Sequence, residues 1–282
     1  MFVKKYGAWA GSVIALVVFV FSVVKIVEYY SETRSSKQQI NEARTLYENA
    51  TTSPVTTPKT TQAAVDAAPS IPVTIASPTM PESLVQRTNA TVKPPIQERF
   101  KPLLETNDDV VGWLKIEDTS IDYPVVQADD NAFYLKKDFH KTNNVTGSIF
   151  MDYRNRIDEA QKHWIIYGHY MKDEIMFKGL LKYKDEAYYR EHPLITFDTL
   201  YGDRKWLIFS AYYTTVDDDY IRTDFKRNEQ FASFAAQLKA NSLYDTHISV
   251  DADDTILTLS TCSKTEEGGR FTVHAKLITD AY

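Results

Sequence analysis

Cysteine is nearly missing from this chain: a single thiol, Cys262, stands in 282 residues. That count excludes an intramolecular disulfide and any zinc site built on several cysteines. Basic charge is also in deficit. With 32 Lys and Arg against 38 Asp and Glu, the net charge is −6. Binding to nucleic acid rests on basic patches, so such a partner is not expected. Proline is scarce outside one stretch, since eight of the eleven fall within residues 50–95. Uncharged apolar runs long enough for a membrane are limited to one.

That run, "GAWAGSVIALVVFVFSVV", covers residues 7–24. Its 18 residues are enough to span a bilayer as a helix. Lys4 and Lys5 precede it and Lys25, Tyr29 and Tyr30 follow, which suits anchoring at both interfaces. The competing reading is a cleaved signal peptide, but no small-x-small site follows in "KIVEYYSETR". The expectation is a membrane anchor over residues 1–30, with the transmembrane helix at about 7–27, the amino terminus cytoplasmic and the rest extracellular. Residues 31–95 read as a polar stalk and a Thr/Pro-rich linker. The linker's composition cannot repay its ordering entropy, so it is expected to be an extended spacer holding a domain away from the membrane.

From Ile96 to Tyr282 the texture is that of a folded domain. "IQERFKPLLETN" (96–107) reads as a short helix made two-part by Pro102. Eight runs rich in β-branched and aromatic residues then read as strands: 113–116, 122–127, 147–153, 163–168, 194–200, 205–215, 254–261 and 271–278. Short strands with irregular links predict a mainly β fold, a closed or nearly closed barrel. "NEQFASFAAQLKAN" (228–241) carries the i, i+3, i+4, i+7 stripe of an amphipathic helix in Phe231, Phe234, Ala235 and Leu238. "EIMFKGLLKY" (174–183) is a weaker helical pattern.

Strand parity bears on the lone thiol. In "TILTLSTC", Leu257 and Leu259 share one face, leaving Thr258, Ser260 and Cys262 on the other. In "RFTVHAKL", Phe271, Val273, Ala275 and Leu277 form the apolar face and Arg270 lies opposite. A hairpin through Gly268 and Gly269 would bring Cys262 and Arg270 together on the face away from the core. That placement suits a reactive thiol better than a structural one, although an incidental cysteine is the bland alternative. A catalytic thiol needs a proton acceptor, because the thiolate is the nucleophile. Among six histidines, His169 is the candidate, since "IIYGH" puts it just past an apolar strand. His163, His274, His140, His192 and His247 read as structural or solvated. Arg270 stays protonated, so it could stabilise an oxyanion or hold a substrate carbonyl, or else pair with Glu266 or Glu267. Asp217, Asp218 and Asp219 read as a solvated loop rather than a metal site, and no cofactor is expected.

"TLSTC" followed eight residues later by arginine, with "IYGH" upstream, resembles the signature of the sortases, membrane-anchored cysteine transpeptidases of Gram-positive bacteria. "GWLKIEDTSIDYPVVQADDNAFYLKKDF" (112–139), "GSIFMDYRN" (147–155), "YYREHPLITFDTLYG" (188–202) and the helix at 228–241 are similar to the class B branch. The resemblance implies an eight-stranded sortase barrel with an N-terminal helical extension and a helix before the seventh strand. It implies Cys262 as nucleophile, His169 as general acid/base, Arg270 as oxyanion or substrate-positioning group, and Ser260 and Thr261 lining the pocket. Some class B members carry an acidic residue shortly after the cysteine; here Ser263, Lys264 and Thr265 come before Glu266.

The implied reaction cleaves a C-terminal sorting signal of the Asn-Pro-x-Thr or Leu/Ser-Pro-x-Thr type after threonine. The implied acceptor is an amine of a peptidoglycan precursor, which anchors a surface protein to the cell wall. A class B pilin polymerase using a lysine amine is the alternative within the family, and a simple cysteine protease the alternative outside it. Papain-like enzymes place cysteine before histidine, whereas His169 precedes Cys262 here.

Overall fold

The computed structural model describes residues 3–52, 94–171, 173–262 and 269–281, with side chains for 13–52, 94–171, 173–261 and 269–279. Eight strands form in chain order: β1 (Val110–Lys115), β2 (Asp122–Val126), β3 (Phe150–Met151), β4 (His163–His169), β5 (Leu194–Thr199), β6 (Asp203–Thr215), β7 (Ile256–Cys262) and β8 (Gly269–Ala281). They close into a barrel in the order β1-β2-β3-β4-β7-β8-β6-β5, with β5 pairing back onto β1. Most neighbours are antiparallel, but β2/β3 and β4/β7 run parallel. The expected barrel is therefore present, with all eight strands where the alternating pattern put them.

Two strand and helix readings change in detail. The run 147–153 yields only the two residues of β3. Gly147 enters with φ +57°, and beyond β3 the Asp152 carboxylate accepts from the Arg154 amide, turning the chain out of the sheet. The 174–183 pattern becomes a 3-10 winding at Phe177–Lys184, followed by the short helix α3 (Glu186–Glu191), because Glu174 and Met176 sit at positive φ and no regular helix can start before Phe177. Near the domain start, a 3-10 turn at Glu98–Phe100 leads into α2 (Lys101–Thr106), with Pro102 in the first turn, where a missing N–H costs no intrahelical bond.

Large apolar side chains fill the barrel interior, among them Trp206, Phe197, Leu114, Ile195 and Leu259. Burying each is worth about 1.5–3 kcal/mol. A second apolar cluster lies outside the barrel wall. There α4 (Asn228–Ala240) presses Phe231, Phe234 and Leu238 onto Phe209, Tyr212 and Ile256, with Tyr220 from the segment that precedes the helix.

The largest departure from expectation is the stalk. A single helix, α1, runs from Val3 to Thr52, through the apolar run and on past it. Beyond the exposed apolar positions Val13–Val27, its face Thr33, Ser36, Ile40, Ala43 and Tyr47 is buried against the barrel. The 3-4-3-4 spacing of those residues is one helix stripe, and three are small enough for close approach. Polar side chains clamp the contact: Ser36 to Thr146 at 2.6 Å, Gln39 to Asp138 at 2.9 Å, Arg44 to Asp122 at 2.7 Å and Tyr47 to Asp198 at 2.8 Å. The Tyr47 ring stacks on Trp113 at 4.6 Å. Residues 31–52 are thus docked on the barrel, because polar side chains of the stalk find partners there. The Thr/Pro-rich segment at 53–93 lies outside the described residues.

Candidate active site

Register brings the three candidate residues onto one row. β4 and β7 pair in parallel so that His163 meets Ile256 and, six residues on, His169 meets Cys262. β7 and β8 pair antiparallel, Thr258 against His274 and Ser260 against Thr272. The paired stretch ends there, and the same register carried two residues further would set Cys262 opposite Arg270. Neighbouring strands lie about 4.8 Å apart, so residues at matched positions of adjacent strands are direct neighbours. His169 ends β4, Cys262 ends β7 and Arg270 nearly begins β8, which places all three at one rim of the barrel. The Cys262 side chain lies outside the described set.

The imidazole of His169 is half-buried and its orientation is held. Nε2 lies 2.7 Å from the Leu135 carbonyl, which can only accept, so Nε2 carries a hydrogen. In the neutral ring Nδ1 is then the proton acceptor. Two glycines make this seat possible. A Cβ on Gly168 would come within 2.4 Å of Ile149 Cδ1 and 2.8 Å of Phe177. A Cβ on Gly147 would meet the Tyr134 carbonyl at 2.6 Å and the His169 ring at 3.0 Å, and its φ of +57° also favours glycine.

Of the two residues expected to line the pocket, the structure separates one from the other. Ser260 shares the face of Cys262, is fully buried, and meets the Tyr220 hydroxyl at 3.0 Å. Thr261 alternates to the opposite face, where its hydroxyl accepts from the Phe271 amide at 3.3 Å. It ties β7 to β8 rather than lining the same surface as Ser260. Arg270 is half-buried, and its Nη1 donates to the Gly269 carbonyl at 3.2 Å.

A second set of side chains, unassigned from sequence, walls the same rim. Tyr167, two residues before His169 and on its face, donates to Asp152 at 2.9 Å. Asp152 also accepts from Arg154 Nε at 2.8 Å and Nη2 at 2.7 Å, and from Asn131 at 3.0 Å. Burial pushes this carboxyl up, but the Arg154 guanidinium and amide and the Tyr167 hydroxyl outweigh it and hold Asp152 below the usual carboxylate range. Arg154 Nη2 reaches on to the Ile221 carbonyl at 3.0 Å. Asp152 and Arg154 stand in "GSIFMDYRN", but only the folded turn shows that they bind each other and the segment ahead of α4.

Beneath that segment runs a chain of buried hydrogen bonds. His163 Nδ1 lies 2.7 Å from the Arg222 carbonyl, so Nδ1 donates and Nε2 must accept from Thr258 at 2.6 Å. The Thr258 oxygen then accepts from His274 Nδ1 at 2.7 Å, and His274 Nε2 accepts from Thr272 at 3.0 Å. Both rings are fully buried, and burial pushes His163 down to about 4 and His274 well below its ordinary value. Both are structural, and the face away from the barrel core is not solvent: Thr258, Ser260, Thr272 and His274 all lie under the second cluster.

Comparison with known proteins agrees with this architecture. The Sortase domain family matches residues 114–278, more than half of the chain. Sortase B of Staphylococcus aureus (strain NCTC 8325 / PS 47) is 40% identical over 185 residues, covering 65% of this chain and 76% of that protein. The solved "Staphylococcus aureus sortase B-substrate complex" aligns with TM-score 0.63 at 39% identity, over 66% of this chain and 87% of that one. Sortase B from B. anthracis in complex with AAEK1 aligns with TM-score 0.69 at 33% identity, over 89% of this chain and 99% of that one. With a closed eight-stranded barrel, a family match over more than half of its length and relatives at about 40% identity, the chain belongs to the sortase family, in its class B.

Proposed function

We propose that this chain is a membrane-anchored transpeptidase that joins surface proteins bearing a C-terminal sorting signal to an amine of peptidoglycan. The observation that carries the reading is the pairing of His169 with Cys262 across β4 and β7, with Arg270 near the start of the adjoining β8. Cys262 is assigned as nucleophile, His169 as general acid and base, and Arg270 as the donor to the oxyanion or the substrate carbonyl.

The steps follow from those roles. The Cys262 sulfur attacks the carbonyl carbon of the signal's threonine, and Arg270 donates to the oxygen as it gains charge. The C–N bond breaks and His169 supplies the proton that the departing amine needs. An acceptor amine then attacks the thioester carbon, its proton passes to His169, and the C–S bond breaks to restore the thiolate. Because Nε2 is held on the Leu135 carbonyl in either protonation state, proton exchange falls to Nδ1. Ser260, buried and fixed by Tyr220, is assigned to support the pocket wall beside Cys262 from beneath.

Substrate-bound sortase B from S. aureus supports a sorting-signal peptide as the donor, and a signal of the Asn-Pro-x-Thr or Leu/Ser-Pro-x-Thr type is assigned on the family resemblance. The apolar start of α1 supports a single-pass anchor, since among the described residues it is the one helix long and apolar enough to cross a membrane. An amino-terminus-inside orientation would place the barrel outside the cell.

The test incubates the protein with a panel of sorting peptides, with and without an amine acceptor, beside Cys262→Ala, and reads products by mass spectrometry. An acyl adduct on Cys262 and an amine-dependent ligation product are expected. Cleavage indifferent to the amine would instead make the chain a hydrolase.

A further inference from the structure

The docked helix measures how far the barrel stands from the bilayer. The exposed aliphatic side chains of α1 end at Val27, Tyr30 is exposed just beyond them, and the helix continues without a break. Its first hydrogen bonds to the barrel come at Glu32. The Glu32 carboxylate accepts from the Val145 amide at 2.9 Å, and its carbonyl accepts from Asn144 Nδ2 at 3.3 Å. One turn later Ser36 meets Thr146. Five residues of helix rise about 7.5 Å, whereas the headgroup layer on each side of a bilayer is roughly 5–7 Å deep. The loop that grips Glu32 therefore stands at the outer edge of the headgroups.

That loop is folded rather than loose. Lys136 and Asn144 pair through the backbone at 2.9 Å, and Lys137 bridges Asn143. Asp138 caps its turn by accepting from the His140 and Thr142 amides. Its outer surface offers Val145, an exposed apolar residue, with Lys136, His140, Thr142 and Asn143 also exposed. Lys141 is held by Asp108 and Asp109. Glu28 is paired with Lys25. Lys136 is then exposed to lipid phosphate, beside the half-buried Lys137 whose ammonium lies over the Phe133 ring, with Arg34 and Lys37 exposed on the adjoining turns of α1.

We propose that the 136–145 loop rests in the headgroup layer of the membrane that α1 leaves, through Val145 and the Lys136–Lys137 pair, seating the barrel on anionic phospholipid. This rests on the reading of α1 as a membrane span. The consequence reaches the active site, because the two ends of the loop hold the histidine. Leu135 accepts from His169 Nε2, and Gly147 lies against its ring. The rim that carries His169 is thereby tied to the bilayer surface instead of being held off on a tether.

The test uses the full chain in vesicles containing phosphatidylglycerol, with Cys262→Ala removing the native thiol. Single cysteines at Phe19, Val145, Asn143 and Glu48 carry a fluorophore, and quenchers are placed in acyl chains or headgroups. Glu48 is exposed on α1 about 24 Å of helix rise beyond Glu32 and serves as the distant reference. The expected pattern is loss of signal at Phe19 with acyl-chain quenchers, loss at Val145 and Asn143 with headgroup quenchers, and none at Glu48. Lys136→Glu with Lys137→Glu should reduce the loss at Val145 by roughly twofold or more. If Phe19 is not quenched, the membrane anchor itself is wrong. If Phe19 is quenched while Val145 and Asn143 behave like Glu48, the anchor stands and the docked loop is overturned.

Discussion

The barrel interior and the sheet face under α4 are both sealed from water, yet opposite chemistry fills them. Inside, Trp206, Phe197 and their neighbours leave mainly apolar contact. Under α4, two histidines and two threonines hydrogen-bond in series, and Tyr220 meets Ser260, a step from the candidate nucleophile. The interior gains its stability from area and shape. The outer face gives up some of that gain for direction, because each hydrogen bond in the series permits one donor and one acceptor. It locates the Arg222 carbonyl, hence the segment that walls the rim, in a way that apolar packing could not.

The sharpest separation of the two regions comes from the rim itself. Cys262→Ala should abolish acyl-enzyme formation and lower transfer by at least about three orders of magnitude. The unfolding midpoint should barely move, as measured by circular dichroism. An equally large stability loss would mean that the thiol belongs to the packing instead.

Next in size are changes inside the barrel. Phe197→Ala should cost about 3–5 kcal/mol in urea unfolding, since a fully buried ring leaves a cavity. Activity per folded molecule should persist at temperatures where the variant remains folded.

Acid should act on the outer face in particular. Unfolded, His163 protonates near its ordinary 6.5, while folded it resists until about 4. Across that window the unfolded chain binds the extra proton, so the contribution is complete above the unfolded value and is lost as pH falls. The loss approaches about 3 kcal/mol for this ring. Urea unfolding near pH 7 and near pH 5 should show it, and His163→Gln should flatten the slope. An unchanged slope would remove His163 from the acid response.

The smallest expected effect is at Tyr220. Tyr220→Phe removes the hydroxyl that meets Ser260 and should cost about 1 kcal/mol. A change in kcat/KM that exceeds the change in stability would place the bond in substrate positioning. Equal changes would confine it to the fold.

Much of this was legible beforehand, for reasons that particular residues make plain. Alternation in "TILTLSTC" and "RFTVHAKL" put Ser260, Cys262 and Arg270 on one face, and β7 and β8 pair in that register. The stripe of Phe231, Phe234, Ala235 and Leu238 is buried as its spacing required. Ser260 and Thr261 came together from the family resemblance, and the structure sets them on opposite faces of β7. On a strand the adjacent residue faces the other way. The Asp152–Arg154–Tyr167 group and the seat of His169 were missed because their partners come from four separate segments.

By itself the sequence determined the strand periods, the lone thiol, the apolar run and the deficit of basic charge, since each is a property of composition or local spacing. Only the tertiary structure decided that β4 lies beside β7, so that His169 meets a cysteine 93 residues away. It alone showed that the polar face beside the thiol is covered by α4, and that the polar continuation of α1 is docked on the barrel. The reason is physical: a period records which residues share a face. Which strand or helix covers that face is settled by long-range pairing and burial, and those depend on the whole chain at once.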